Sequence, residues 1–262
     1  VTGSHAGVPA LDLTPAPGSG SPGTLLVSHA RWELTSLLRN GEQLLLTVVI
    51  PTLLLVLFAK VDVVDLGPGS RIAFLAPGIL ALAVLSTAFT AQAISTGFER
   101  RYGVLRRLGT TPLPRWGLLG GKTLAVLGVE VLQVVLLGAV AVALGWRPQG
   151  AAWGWVVVLL ALGTAAASGL ALLMAGTLRA EATLACANLL YLVLLLGGGI
   201  VIPLAKFPGG VRRVLEWLPS TALADGLRAA LTGAGLDAHA LVVLALWSLV
   251  TLTAAARWFR WD

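Results

Sequence analysis

The sequence predicts an all-α integral membrane protein with six membrane-spanning helices, and three observations carry that prediction. Of 262 residues, 57% are hydrophobic and only 11% are charged, against about 25% charged in soluble domains. Mean hydropathy is +0.89. Apolar runs long enough to cross a bilayer alternate with short stretches that hold most of the Lys and Arg. The net charge of +6 is therefore a topology signal and does not point to nucleic acid.

Taken in order, residues 1–23 are rich in Pro, Gly and Ser and read as a disordered tail. They show no basic stretch followed by an apolar core, so they do not read as a signal peptide. Residues 24–43 change pattern. Leu26, Ala30, Leu34, Leu37 and Leu38 form a helical stripe, with Arg31, Glu33, Arg39 and Glu42 distributed around it. That is an amphipathic helix at the membrane surface or against a partner.

The first span, Leu44–Ala59, is short and contains Pro51, a potential kink. A loop follows with Asp62, Asp65 and the turn Gly67-Pro68-Gly69. Ile72–Thr96 is the second span and Gly117–Gly145 the third. Trp146-Arg147-Pro148-Gln149-Gly150 makes a tight polar turn, with Trp153 and Trp155 as interfacial anchors of the fourth span, Trp153–Leu178. Arg179-Ala180-Glu181 is a brief loop before the fifth span, Thr183–Ile202; Leu241–Ala256 is the sixth and ends in a basic aromatic tail, Arg257–Trp261.

Between spans two and three lies the one strongly basic block, Gly97–Trp116. It holds Arg100, Arg101, Arg106, Arg107 and Arg115, with Glu99 as its single acid. Phe98, Tyr102 and Leu105 recur on one helical face, and Gly109, Pro112 and Pro114 stop the helix. Positive-inside topology alone explains an Arg-rich loop, but not the aromatic pair or the clean stop. Those features suit a short amphipathic helix that docks something. The basic side of the membrane also holds Arg31, Arg39, Arg179, Arg257 and Arg260; the opposite side has Lys60, Arg71 and Arg147 in its two short loops. Both termini are thus expected in the cytoplasm.

Residues 203–239, on the other side, are too polar to cross and too regular for a loose loop. Val211, Leu215 and Leu218 repeat up to Pro219. Ser220 or Thr221 then caps a second helix with Leu223, Leu227, Ala230 and Leu231 on one face. The expectation is a pair of short helices that dip into the outer leaflet and return.

Chemical sites are sparse. The lone Cys186 and the scattered His5, His29 and His239 have no metal-ligand spacing, and no nucleophile–base pair appears. Gly121-Lys122-Thr123 ends like a phosphate loop, but G-x-x-x-x-G-K-[ST] needs Gly at 116, where Trp116 stands. Lys122 instead reads as a side chain that snorkels to the interface.

The order of parts, with Glu99-Arg100-Arg101-Tyr102-Gly103, Leu105-Arg106-Arg107-Leu108-Gly109-Thr110-Thr111-Pro112 and the later Leu218-Pro219-Ser220-Thr221 and Asp225-Gly226-Leu227-Arg228, resembles the permease subunit of ABC-2 type transporters, including daunorubicin-type drug permeases. The resemblance runs from Thr24 to the C-terminus, so residues 24–262 read as one transmembrane domain. It implies an N-terminal cytoplasmic interface helix (Arg31, Trp32, Arg39). It also implies a cytoplasmic coupling helix carrying Phe98, Glu99, Arg100, Arg101, Tyr102, Leu105, Arg106 and Arg107, and a re-entrant pair before span six. A separate ATP-binding cassette subunit would bind ATP and Mg, a second permease subunit would complete the path, and this chain would bind no cofactor and perform no catalysis. The implied role is export of an amphipathic, drug-like or lipid-like compound across a bacterial inner membrane, the plasma membrane of the cell. Glu130, with Gln133 three residues on, lies mid-membrane in span three and is read as a substrate or proton contact, or as a structural hydrogen bond to Gln133 or to Thr and Asn groups such as Asn188. The alternative function is an ATP-independent secondary transporter or channel with Glu130 as proton relay.

Overall fold

The computed structural model describes residues 20–61, 70–148 and 150–260. Residues 1–19 of the expected tail, the first loop with Asp62, Asp65 and Gly67-Pro68-Gly69, and Gln149 and Trp261 lie outside them. Among the described residues every regular element is helical. The helices are α1 (Pro22–Arg39), α2 (Gly41–Lys60), α3 (Arg71–Val84), a π-helical segment (Leu85–Ala91), α4 (Gln92–Arg101), α5 (Val104–Leu108), α6 (Arg115–Ala143), α7 (Trp153–Thr177), α8 (Ala180–Gly197), a 3-10 turn (Leu204–Lys206), α9 (Gly209–Leu215), α10 (Pro219–Leu231) and α11 (Ala238–Trp258). Among the described residues, six helices are long and apolar enough to cross a membrane. The protein is an all-α, multi-pass membrane protein.

Span two is the hub. α3, the π segment and α4 run continuously over 31 residues, and 83% of the span's most apolar window is buried. Around it pack α2, α6, α7, α8 and α10. Spans one and five, α2 and α8, are the opposite case, with only 17% and 22% of their windows buried. In lipid, helices gain no hydrophobic energy by associating, so close packing at small residues and interhelical hydrogen bonds hold them together. α7 supplies that packing: Gly163 lies against Leu223 of α10, and Gly169 and Gly176 lie against Thr251 and Phe259.

Several sequence expectations change at their edges. α1 starts at Pro22, where Ser21 caps it by accepting a hydrogen bond from the Thr24 amide. The first span starts earlier, at Gly41, because Asn40 caps α2 through the Gln43 amide. The Arg179–Glu181 loop shrinks to Leu178-Arg179, since α8 already begins at Ala180. Leu38 is 44% exposed and leaves the buried stripe of α1. The basic aromatic tail is not loose: Phe259 is buried, and the Arg260 amide donates to the Gly176 carbonyl.

The stretch before span six is also asymmetric. α9 is exposed throughout most of its length, whereas α10 is buried against α3, α7 and α11. Neither Ser220 nor Thr221 caps α10; Pro219 occupies its first turn, where a missing N–H costs nothing. Arg228 anchors α10. Its guanidinium donates to Asp225 and to the carbonyls of Phe74, Gly199 and Ile200, and it stacks on the Phe74 ring at 3.7 Å. That anchor needs Gly78, because a Cβ there would sit 2.4 Å from the Ile200 carbonyl oxygen and 2.8 Å from Arg228 Nη2.

Gly78→Ala should therefore cost about 1–3 kcal/mol through forced separation of α3 and α10. A lowered melting temperature of the solubilised protein checks this; an unchanged one contradicts it.

Candidate functional site

The basic block does not form one helix. Gly97–Arg101 completes span two as the last turns of α4. Gly103, at φ 74°, breaks the chain in the left-handed region open to glycine. The five-residue α5 follows. The expected common face of Phe98, Tyr102 and Leu105 splits accordingly. Leu105 is fully buried, Tyr102 is 70% exposed, and Phe98 stacks on Tyr102 at 6.1 Å. Leu105 packs with Leu118 and Leu119 of α6, Leu172 of α7, and Ala255 and Phe259 at the end of α11. One side chain thus plugs α5 into spans three, four and six.

The arginines divide into two groups. Arg100 donates to the carbonyls of Ala175 (2.9 Å) and Leu178 (2.7 Å). These belong to the end of α7, where carbonyls lack intrahelical partners and the dipole favours a cation. Arg101 pairs with Glu181 at the start of α8. Arg106 and Arg107, on α5, are exposed, and their guanidinium groups make no hydrogen bond or ion pair among the described residues. Two arginines therefore bind α4 to spans four and five, and two remain for something outside.

Glu99 turns inward. Its carboxylate lies 2.7 Å from Lys122 Nζ, and Glu33 of α1 lies 2.7 Å from the same ammonium. Lys122 is 4% exposed, so it does not snorkel to water as the sequence suggested. Burying an ammonium in apolar surroundings is expensive unless it is paired, and here two carboxylates from two other elements pair it. Gly121-Lys122-Thr123 is ordinary α6 helix whose lysine is already occupied.

The same contact seats α1. Leu26, His29 and Leu34 press on Gly120, Gly121 and Gly128 of α6, where an added Cβ would meet them at 3.2, 2.4 and 2.9 Å. The matched advance along both chains sets α1 side by side with the start of span three. His29 sits 3.5 Å from Glu33 and is buried. Burial first, and the nearby Lys122 charge second, lower its pKa from 6.5 to about 4. Arg31, Trp32 and Arg39 occupy the opposite, exposed face of α1.

Glu130 and Gln133 are both buried deeper in α6. Their expected shared face divides. Thr164 of α7 donates to Glu130 Oε2, so Glu130's partner is one of the expected threonine hydroxyls and not Gln133 or Asn188. Gln133 donates to the Thr47 carbonyl (3.0 Å) and to Thr87 Oγ1 (2.8 Å), tying span three to spans one and two. Contact with a substrate would require these spans to part.

Sequence reasoning missed His29, Glu33 and Lys122 as a group. A signal existed: positions 26, 29, 30, 33, 34 and 37 complete one helical face, and two of them are ionisable.

With this geometry established, one family, the ABC-2 type transporter family, matches residues 24–232. The chain belongs to that family. The match includes α1, the α4–α5 break and α10, and stops before α11. No curated protein matches the chain. This ABC-2 member is thus the transmembrane, non-catalytic part of a transporter.

His29 gives the site a pH dependence with a definite sign. Its folded pKa lies below its unfolded value, so between about 4 and 6.5 the unfolded chain binds the extra proton. Attachment of α1 should strengthen as pH rises through that window and level off above it. Protease protection of α1 across the window should flatten in His29→Gln; identical profiles would contradict the assignment.

Proposed function

We propose that this ABC-2 permease is the membrane subunit of an ATP-driven exporter that moves an amphipathic, drug-like or lipid-like compound out of the cytoplasm. The observation that carries the reading is the pairing of a family match over 24–232 with an α5 that is anchored on one side and free on the other. Leu105 is fixed among spans three, four and six, while Arg106 and Arg107 face outward without partners among the described residues. A separate ATP-binding cassette subunit docks on that basic face and on the exposed face of α1, at Arg31, Trp32 and Arg39. It supplies ATP and Mg chemistry.

Movement of the ATPase subunits is passed inward along two routes. Leu105 carries it to spans three, four and six, and the Glu33–Lys122–Glu99 cluster carries it from α1 to spans two and three. The termini lie on this cytoplasmic side of the plasma membrane. A second permease subunit covers the apolar faces that α2 and α8 leave open: Leu53 of α2 is 61% exposed and Leu189 of α8 is 65% exposed. Lipid covers the rest.

Reversing charge at the free arginines tests the docking. In Arg106→Glu/Arg107→Glu, the ATPase subunit should be lost on co-purification, or its hydrolysis should no longer respond to the permease, by about ten-fold or more for two buried charge pairs. The variant should still insert and elute as wild type, since neither side chain holds the fold. Retention of the partner with wild-type hydrolysis would overturn the docking assignment.

A further inference from the structure

A second groove lies just past the end of α1, between the first turns of α2 and residues 86–95 of span two. It encloses about 450 Å³ and is lined by polar groups: Glu42, Gln43 and Thr47 from α2, and Ser86, Thr90 and Ser95 from the π segment and α4. Leu46 and Ile94 add an apolar wall. Polar groups within a spanning segment are costly where they face hydrocarbon. Some of these are already used locally. Thr47 donates to the Gln43 and Leu44 carbonyls, and Ser95 to the Gln92 carbonyl. Thr90 is not: its hydroxyl oxygen is shielded from solvent and has no hydrogen-bond partner. Ser86 and Thr90 both belong to the π segment, and such segments are frequent at functional sites.

We infer that this groove is the site where the headgroup of the transported amphiphile enters from the inner leaflet, and that the headgroup is uncharged and polyhydroxylated. The inference rests on the permease reading above and names the substrate class it left open. The chemistry of the lining makes the choice. Hydroxyls and a carboxamide both donate and accept, and the Glu42 carboxylate accepts, which matches a run of sugar or polyol hydroxyls. A phosphate headgroup wants Arg or Lys, and none lines the groove among the described residues. Glu42 makes no ion pair among those residues and adds repulsion to any anion at the mouth. Leu46 and Ile94 offer the upper part of the acyl chain an apolar wall.

Binding of labelled lipids tests this. The chain is extracted without a glycoside detergent, which would compete, and placed in phosphatidylcholine nanodiscs without ATP or any ATPase. NBD-labelled glucosylceramide and NBD-labelled phosphatidylglycerol are then titrated by fluorescence. The glucosyl lipid should bind at least about ten-fold more tightly. Ser86→Ala/Thr90→Val, which removes two hydroxyls with little change in volume, should erase most of that preference. Glu42→Lys, at an exposed position that carries no fold contact, should shift preference toward phosphatidylglycerol. Equal binding of both lipids by wild type, or a preference untouched by both variants, would overturn the site. Since the assay contains no ATPase, such a failure would leave the permease assignment standing, while loss of ATPase coupling in the α5 variant would leave this site standing.

Discussion

The ammonium of Lys122, held between Glu33 and Glu99 out of reach of water, is the constraint on which the basic end of the molecule depends. Each of its three members belongs to a different element: the N-terminal helix, the end of span two and the start of span three. Desolvation makes an isolated charge here intolerable, so the elements must meet for any of the three to be buried. Buried clusters of this kind add little net stability compared with an apolar core, but removal of one partner is severe. Their effect is to allow one arrangement. α1 is fixed on α6 at one height, and the end of α4 is held where the Gly103 break can project α5 toward the surface.

The rest of the bundle follows the same economy at smaller scale. Gln133 joins spans one, two and three, Arg100 closes the end of span four, and Arg228 locks α10 over the start of span two. Each is one long polar side chain that satisfies backbone or hydroxyl groups from two or three neighbours. Between these ties, glycine and alanine let the helices approach, most clearly where α7 meets α10 and α11. The outcome is a closely packed centre around span two, with spans one and five presenting open apolar faces.

Much of this was legible in the sequence, and the failures have physical causes. Six spans and the helix stop at Gly109 follow from hydropathy, glycine and proline, which act locally; the break at Gly103 was not expected. The Asp225–Arg228 pair also follows, since i,i+3 spacing fixes proximity on a helix. Pairings between helices do not. Glu33 lies 66 residues before Glu99 and Glu99 lies 23 before Lys122 on another helix, and only the packing of α1 and span two against α6 brings them together. Glu130 stood out as a charge in a span, but its partner Thr164 is one of many hydroxyls in apolar sequence. Arg100 and Arg106 look alike in the motif; one caps a helix inside the molecule and the other is left free, a difference set by the left-handed Gly103 between them.

By pairing with Glu33 and Glu99, Lys122 should make α1, span two and span three move as one body. Double electron–electron resonance measures this directly, with the exposed Cys186 replaced by Ser and spin labels at cysteines substituted for Val27 and Tyr102, both strongly exposed. The account predicts one narrow distance distribution in the otherwise unaltered chain, and a broader, longer one in Lys122→Met, while the spanning helices remain folded by circular dichroism. Superimposable narrow distributions with and without Lys122 would contradict it.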